Sequence, residues 1–265
     1  MTILDEIAGK TRERIDAKKS REPLADLKSR ALSLEKPGIA PQEYAFNRAL
    51  RRERINFICE VKKASPSKGL IAEDFPYLDI AEEYERAGAA AISCLTEPFY
   101  FKGADEYLRE IAARVSIPVL RKDFTVDEYM LYEAKLLGAS AVLLICSILS
   151  KEQLKEYQEI AHSLGLSALV EVHDEEELSM ALEAKALIIG VNNRNLKDFT
   201  VDIGNSIRLR EQVPESITFV SESGMKSPED IAALCHNGTN AVLIGETLMR
   251  AADKKQKLLE LKSGC

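Results

Sequence analysis

The sequence predicts a single (β/α)8 barrel, because short β-rich runs recur eight times along the chain. Each run is followed by a polar stretch with helical periodicity, and together the units fill roughly 200 residues, as one barrel does. The runs are NFICEVK (56–62), AISCLT (91–96), PVLRKD (118–123), AVLLIC (141–146), SALVEV (167–172), LIIGVN (187–192), TFVSES (218–223) and AVLIGE (241–246). Strands that alternate with helices pair in parallel through right-handed crossovers, and eight such units are the usual content of a closed barrel.

An open, doubly wound sheet is the alternative architecture for the same alternation. A dinucleotide-binding sheet of that kind carries a GxGxxG loop after its first strand. No such loop follows the run at 56–62, and no linker or low-complexity stretch separates two cores. We therefore expect one domain over residues 1–265.

The first fifty residues are predicted to form a helical extension in front of the barrel. Helix-like, charged stretches run from Ile3 to Ser20 and from Leu24 to Leu34, and a short helix follows Pro37 and Pro41. The barrel strands are expected within 56–246, with a terminal helix and tail at 247–265.

Composition and charge restrict the classes of partner. The chain has 36 basic and 43 acidic side chains, a net charge of −7, which opposes a diffuse attraction to nucleic acid or to an anionic membrane. No window resembles a membrane span, and the start MTILDEIAGK lacks the apolar core of a signal peptide. We expect a cytoplasmic protein, a monomer or a weak homodimer, whose ligand is a small molecule held by a local site.

The cysteines predict neither a disulfide framework nor a zinc site. There are five of them, at widely scattered positions and without a CxxC pair: Cys59, Cys94, Cys146, Cys235 and Cys265. We expect most of them to be small buried side chains, and Cys265 to end a polar tail.

Ionisable and polar side chains gather where the predicted strands end, which is where barrels place their catalytic groups. Side chains alternate along a strand, so Glu60 shares a face with Lys62, and Asn192 shares one with Arg194. If these faces point into the barrel, six side chains converge: Glu60, Lys62, Lys122, Glu171, Asn192 and Arg194. The alternative is that each is a solvated residue at a loop edge.

Glycine turns follow the last two strands and predict a phosphate site. Ser223-Gly224 precedes a helix that begins near Ser227, and Gly245-Glu246 precedes the terminal helix. Backbone N–H groups at such turns, with the dipoles of the helices, form the phosphate cradle that barrels often build there. Ordinary strand-to-helix turns are the alternative interpretation. His173, which shares a face with Glu171, either serves the site or caps the next helix.

Four long segments resemble the indole-3-glycerol phosphate synthase family. They are EVKKASPSKG (60–69), LTEPFYFKG (95–103), RKDF (121–124) and VNNRNL (191–196), and LVEVHD, VSESGM and LIGETLM follow the same order. The resemblance covers essentially the whole chain, including the extension. It implies a lyase without metal or cofactor that converts 1-(2-carboxyphenylamino)-1-deoxyribulose 5-phosphate to indole-3-glycerol phosphate, carbon dioxide and water, a step of tryptophan biosynthesis.

The resemblance also implies roles for the catalytic side chains. Lys122 resembles the general acid that protonates the substrate carbonyl, and Lys62 the lysine that binds the substrate carboxylate, with the division of acid work between them left open. Glu171 resembles the acid/base group of the dehydration, and Glu60 a partner carboxylate of the lysines. Asn192 resembles the side chain that positions the substrate.

The remaining matches concern binding. Arg194 resembles an arginine on the anthranilate side, Phe101 and Leu95 the apolar contacts of the aromatic ring, and Glu222 a site carboxylate without a defined role. The matches to the phosphate site are Ser65, Ser223, Gly224, Gly245 and Glu246, the last through its backbone amide.

Two rival functions stay open at this stage. A phosphoribosyl isomerase would use the same barrel but relies on aspartate at strand ends, and here Asp123 has the opposite parity to Lys122. A non-catalytic binding barrel would keep the phosphate turns. The set of lysines and glutamates argues against this alternative.

Overall fold

The computed structural model describes residues 2–36, 38–195 and 198–265; Pro37 and Leu196, named above, lie outside the described residues. Eight parallel strands form a closed barrel, which confirms the predicted fold class. The barrel strands are β1 (Asn56–Val61), β2 (Ala91–Leu95), β3 (Val119–Lys122), β4 (Ala141–Ile145), β5 (Ser167–Val172), β6 (Ile188–Asn192), β7 (Thr218–Glu222) and β8 (Ala241–Ile244).

Helices cover the outside of the barrel and form the N-terminal extension. They are α1 (Ile3–Lys19), α2 (Leu24–Ser33), α3 (Ala45–Leu50), α4 (Tyr77–Arg86), α5 (Asp105–Arg114), α6 (Tyr129–Leu136), α7 (Lys151–Ser163), α8 (Glu175–Glu183), α9 (Gly204–Arg210), α10 (Pro228–His236), α11 (Glu246–Met249) and α12 (Lys254–Lys262). A short antiparallel hairpin of Ala64–Ser65 and Gly69–Leu70 follows β1.

Every second residue of a strand points into the barrel, since side chains alternate along a strand. Strand β1 pairs with both β2 and β8, which closes the ring. Ile58, Leu120 and Val220 belong to one buried cluster with Phe46 and Leu50 of α3. Helix α3 therefore closes the N-terminal end of the barrel with apolar side chains.

The other residues of each strand point outward and pack beneath the helices. Cys59, Ile92 and Val170 belong to a second, larger buried cluster that also contains helix residues such as Leu108 and Leu178. Both faces of the sheet are thus covered, which explains why the strands are almost continuously apolar. Charged side chains are exceptions to this pattern, and they occur at the C-terminal ends of the strands.

Helix α1 lies across the C-terminal ends of β2 and β3. It begins with a capping box between Thr2 and Asp5, which satisfies backbone donors of the first turn. The Arg14 guanidinium donates to both carboxylate oxygens of Asp123, at 2.9 and 2.8 Å, and to the carbonyl of Thr96 at 3.3 Å. Charge-assisted hydrogen bonds therefore fix the extension to the strand ends that carry the site.

Arg121 is the largest fully buried side chain, and it points outward from β3. Its guanidinium donates to Asp105 at 2.8 Å, to Glu133 at 2.6 Å and to the carbonyl of Met130 at 2.9 Å. Lys18 of α1 contacts the same two carboxylates. A buried charge of this kind is stable only when paired and hydrogen-bonded, and here helices α5 and α6 supply the two carboxylates and the carbonyl.

The cysteines only partly match the prediction. Cys59, Cys94 and Cys146 are free and buried, as expected for small side chains. The expectation that none pairs was wrong, because a disulfide joins Cys235 to Cys265, with their Cα atoms 6.2 Å apart. Helix α12 packs against α10 and brings the last residue back to the barrel, which the separation of 30 residues in sequence does not reveal.

In the part of the chain that the structure describes, no helix is long and apolar enough to cross a membrane.

Candidate active site

Four charged side chains occupy inward positions at the C-terminal end of the barrel. The four are Glu60 of β1, Lys122 of β3, Glu171 of β5 and Glu222 of β7. Glu60 and Lys122 each lie two residues after an inward apolar residue of the same strand, Ile58 and Leu120 respectively. Side chains from alternate strands form a layer in barrels of this class. A layer that would otherwise be apolar is here made of one lysine and three glutamates.

Lys122 holds two of the carboxylates. Its ammonium lies 2.8 Å from Oε2 of Glu171 and 2.7 Å from Oε2 of Glu222. Asn192 of β6 donates to the other oxygen of Glu171 at 3.2 Å. Lys62, just past the end of β1, forms an ion pair with Glu60. The structure thus brings together all five side chains that the sequence assigned to catalysis, and Glu222 with them.

Burial and charge act in opposite directions on these groups. Burial lowers the pKa of Lys122, but the carboxylates of Glu171, Glu222 and Glu60 outweigh it and raise that pKa. Burial raises the pKa of Glu171, but the Lys122 ammonium outweighs it, so the pKa lies below its usual range. In the free site Lys122 is therefore charged and Glu171 ionised, a proton donor beside a proton acceptor.

Two glycines provide the space that this layer needs. A Cβ atom on Gly190 of β6 would overlap Oε1 of Glu222, and one on Gly245 would overlap Oε1 of Glu60 and Nζ of Lys62. Gly245 was predicted only as part of the phosphate turn, and Gly190 was not singled out. Sequence alone could not reveal either role, because each glycine faces a side chain from a different strand.

The charged layer forms the floor of a cavity of about 680 Å³. Every residue that the sequence predicted for the site lines this cavity: Glu60, Lys62, Ser65, Leu95, Phe101, Lys122, Glu171, Asn192, Arg194, Glu222, Ser223, Gly224, Gly245 and Glu246. Phe101 lies beside Phe124, with ring centroids 6.1 Å apart, on the side of Leu4 from α1. The cavity therefore has a charged floor and an apolar wall.

The predicted phosphate residues lie together on the opposite wall. Ser223 and Gly224 both have positive φ, 68° and 102°, so the chain turns sharply as it leaves β7. The carboxylate of Glu246 faces Arg194 at 3.6 Å and Arg250 at 3.2 Å. Arg194 therefore lies beside Glu246, one of the residues predicted for the phosphate, and its predicted place on the anthranilate side stays a prediction.

Glu97 shapes the loop that carries Phe101, and the sequence analysis did not single it out. Its fully buried carboxylate accepts hydrogen bonds from the backbone N–H groups of Phe99, Tyr100 and Phe101, at 2.9, 2.7 and 2.9 Å. An acidic residue directly after a buried strand and before proline is a signal that could have identified it. The carboxylate fixes the apolar wall without facing the cavity.

Replacing Glu97 with Ala should raise KM about tenfold and lower the free energy of unfolding by about 3 kcal/mol. The substitution leaves three backbone donors without their acceptor, and an unsatisfied buried donor costs about 1–3 kcal/mol. Steady-state kinetics and urea unfolding measure the two effects. Glu106→Ala, at an exposed position of α5, is the matched control and should change neither. An unchanged KM in Glu97→Ala would show that the loop holds its shape without the carboxylate.

Glu222 gives a second prediction, on stability. Burial and the negative charges of Glu171 and Glu60 raise its pKa to about 7 from 4.5, against the opposing effect of Lys122. Its pKa is higher in the folded than in the unfolded protein, so stability falls as the pH rises from 4.5 to 7. One pKa unit corresponds to about 1.36 kcal/mol, which makes this loss about 3 kcal/mol.

Glu222→Gln removes the titrating group and should therefore escape this loss. The free energy of unfolding of the variant, compared with that of the unsubstituted protein, should rise by about 3 kcal/mol between pH 4 and pH 8. Urea unfolding at both pH values measures the gain. Glu159→Gln, at an exposed position of α7, should show no gain, and an equal gain there would refute the assignment to Glu222.

The fold and the site define an acid–base enzyme of the (β/α)8-barrel class. A family model described as indole-3-glycerol phosphate synthase matches residues 4–261. The chain belongs to the indole-3-glycerol phosphate synthase family, whose members are carboxy-lyases. The family resemblance and the lyase function predicted from the sequence are thereby confirmed.

Similar proteins support the same family over the full length. The chain is 56% identical over 260 residues to the indole-3-glycerol phosphate synthase of Ruminiclostridium cellulolyticum, covering 98% of each chain. It is 54% identical to that of Endomicrobium trichonymphae, covering 98% of this chain and 99% of the other. A mutant tryptophan synthase α-subunit from Pyrococcus furiosus shares the fold alone, with a TM-score of 0.60 and 18% identity over 78% of this chain and 98% of that one.

Proposed function

We propose that this chain converts 1-(2-carboxyphenylamino)-1-deoxyribulose 5-phosphate to indole-3-glycerol phosphate through the side chains of the charged layer. The observation that carries the proposal is Lys122, held 2.8 and 2.7 Å from two buried carboxylates on the floor of the cavity. A charged lysine beside the ionised Glu171 supplies both proton donation and proton acceptance. The reaction needs both.

Ring closure needs a proton donor at the ketone oxygen. As the aromatic carbon attacks the ketone carbon, negative charge develops on the oxygen, and Lys122 donates its proton there. A positioned general acid contributes about 10²–10⁴ to such a step. Lys62, at the rim of the floor beside Glu60, binds the substrate carboxylate until it leaves as carbon dioxide. Low exposure to water around the layer favours that loss of charge.

Dehydration completes the indole ring. The former ketone oxygen takes a second proton and leaves as water, while the ring carbon next to nitrogen loses a proton. Glu171 is the acceptor of that proton, since its pKa lies below its usual range and Asn192 orients its second oxygen. In total the oxygen receives two protons and the carbon returns one, so each turnover takes up one proton from solution.

The walls of the cavity fit the two ends of the substrate. Phe101, Leu95 and Phe124 form the apolar wall for the anthranilate ring. The backbone amides after β7 and β8 suit a phosphate, as at other turns that lead into helices. Arg194 lies close enough to this wall to bind the same phosphate when Glu246 moves aside. As a biosynthetic enzyme of this kind, the chain would act in the cytoplasm, as a monomer or a weak homodimer.

The isomerase alternative depends on a free aspartate at the end of a strand. The Asp123 carboxylate is fully buried, and it accepts hydrogen bonds from Arg14 and from the Thr96 hydroxyl. It is therefore engaged in fixing helix α1. This arrangement favours the synthase.

The test is an assay of the purified protein with 1-(2-carboxyphenylamino)-1-deoxyribulose 5-phosphate. Indole fluorescence, released carbon dioxide and the uptake of protons from a weak buffer should rise in a ratio of one to one to one. Isomerisation of the ribulose chain without carbon dioxide, or binding of the substrate without turnover, would reject the proposed function in favour of the isomerase or the binding barrel.

A further inference from the structure

His173 lies behind Glu171, on the side away from the substrate cavity. Its Nε2 atom is 3.5 Å from Oε1 of Glu171 and has no hydrogen-bond partner among the described residues. Its Nδ1 atom is 2.9 Å from Oε2 of Glu177 on α8. The same Glu177 oxygen accepts the backbone N–H of His173 at 2.8 Å, and Asn205 donates to the His173 carbonyl at 2.9 Å. The ring is thus held between two carboxylates.

A second cavity, of about 620 Å³, lies on the far side of this ring. His173, Asp174 and Glu177 line it, and the exposed residues Thr2 and Asp5 of the extension stand at its rim. It shares Leu4, Asn192 and Arg194 with the substrate cavity, so the two spaces adjoin at the end of β6. His173 lines the second cavity and not the first, so water in the second cavity reaches the ring from the side away from Lys122.

We propose that Glu177 and His173 relay a proton from the second cavity to Glu171, and through it recharge Lys122 during turnover. This inference rests on the proposed function, in which one oxygen takes two protons while the intermediate fills the substrate cavity. Lys122 has lost its proton after ring closure. A proton that enters from the second cavity recharges Lys122 before the oxygen leaves as water.

Each transfer breaks one bond to hydrogen and forms another, with no change in oxidation state. A proton from water passes by way of Glu177 to Nδ1 of His173, and the Nε2 proton passes to Oε1 of Glu171. The Glu171 carboxyl turns about its last carbon–carbon bond and gives the proton to the neutral amine of Lys122, 2.8 Å away. The Nδ1 proton then moves to Nε2 through water of the second cavity, which restores the first tautomer and completes the cycle.

The charges around the ring suit this task. Glu171 on the same strand, Glu177 and Asp174 at the start of α8, and Glu222 on β7 all surround it with negative charge. Burial lowers the pKa of His173, but the hydrogen bond to Glu177 and these charges outweigh it and raise the pKa. The ring can thus carry a proton near neutral pH, while Lys122 balances the negative charge.

The test removes the imidazole ring of His173 and adds free imidazole to replace it. His173→Ala should lower kcat about tenfold or more with KM little changed, less than the 10²–10⁴ expected for a direct donor, because water in the second cavity replaces part of the path. Added imidazole should restore kcat with saturation. Pyrazole, a ring of the same shape that stays unprotonated near neutral pH, should not. The exposed His236 gives the matched control, since His236→Ala should behave as the unsubstituted protein.

A second variant, His173→Asn, distinguishes loss of the relay from misfolding. His173→Asn keeps a polar group next to Glu177 but cannot carry a proton through the side chain, so its kcat should fall as in His173→Ala. Full kcat in His173→Asn, or equal rescue by pyrazole and imidazole, would overturn the relay. A lack of turnover in the unsubstituted protein would instead count against the proposed function, so the two failures are distinguishable.

Discussion

Replacing Lys122 with Met should lower kcat by about 10²–10⁴, the range expected for the loss of a positioned general acid. Methionine has a similar length and no proton to give, so the cavity keeps its shape while the donor disappears. Indole fluorescence under saturating substrate measures the loss. Lys63→Met is the matched control, because Lys63 is the next lysine in sequence, points out of the cavity toward Phe75, and should leave kcat unchanged.

The Lys122→Met substitution should also destabilise the fold, although replacing a catalytic residue often leaves the stability unchanged. Glu171 and Glu222 are almost fully buried and would lose their common cation, and breaking a buried ion pair from one side typically costs about 3–5 kcal/mol. Urea unfolding at pH 8 measures this loss. A kcat within threefold of the unsubstituted protein would remove Lys122 from the acid role, whatever the change in stability.

Replacing Gly245 with Ala should lower kcat/KM by about 10²-fold or more. The backbone of Gly245 has φ −116°, outside the left-handed region that favours glycine, so the effect comes mainly from the added methyl group. That methyl group would overlap Glu60 and Lys62 and push their ion pair out of place. A displacement of about 1 Å in a catalytic group can cost 10²-fold in rate.

Gly138→Ala provides the opposite control. Gly138 has φ +85° and lies far from the cavity, at the end of α6, so alanine there should destabilise the fold by about 1–2 kcal/mol. Its kcat/KM should stay unchanged. Equal activity losses in the two variants would mean that Gly245→Ala acts through general destabilisation, and that the space beside Glu60 is not what the glycine provides.

Much of this architecture was accessible from the sequence, because strand periodicity and parity have simple geometric consequences. Glu60 and Lys62 share a parity, and both line the substrate cavity. Glu171 and His173 also share a parity, but only Glu171 lines that cavity, and His173 lines the second one. The positions of polar residues at the strand ends therefore predicted which side chains line the substrate cavity, but not that His173 faces away from it. The long family segments then added chemical roles that parity cannot supply.

Contacts between distant segments were not accessible in this way. Gly190 makes room for Glu222 on the neighbouring strand, and Cys265 returns to Cys235 along two helices. Each depends on which atoms the finished fold brings within a few ångströms. Periodicity predicts faces of elements, and it does not predict the space left between two faces.

The charged layer at the top of the barrel also bears on how such a chain can change. In a barrel selected for cohesion alone, Glu60, Lys122, Glu171 and Glu222 would be branched apolar residues. The stabilisation that these four residues do not supply comes from the apolar N-terminal part of the barrel interior, which α3 closes with Phe46. Side chains that conflict with the stability of the fold are thus confined to one end of the molecule. Side chains at that end can be exchanged for new chemistry while the apolar part of the interior stays as it is.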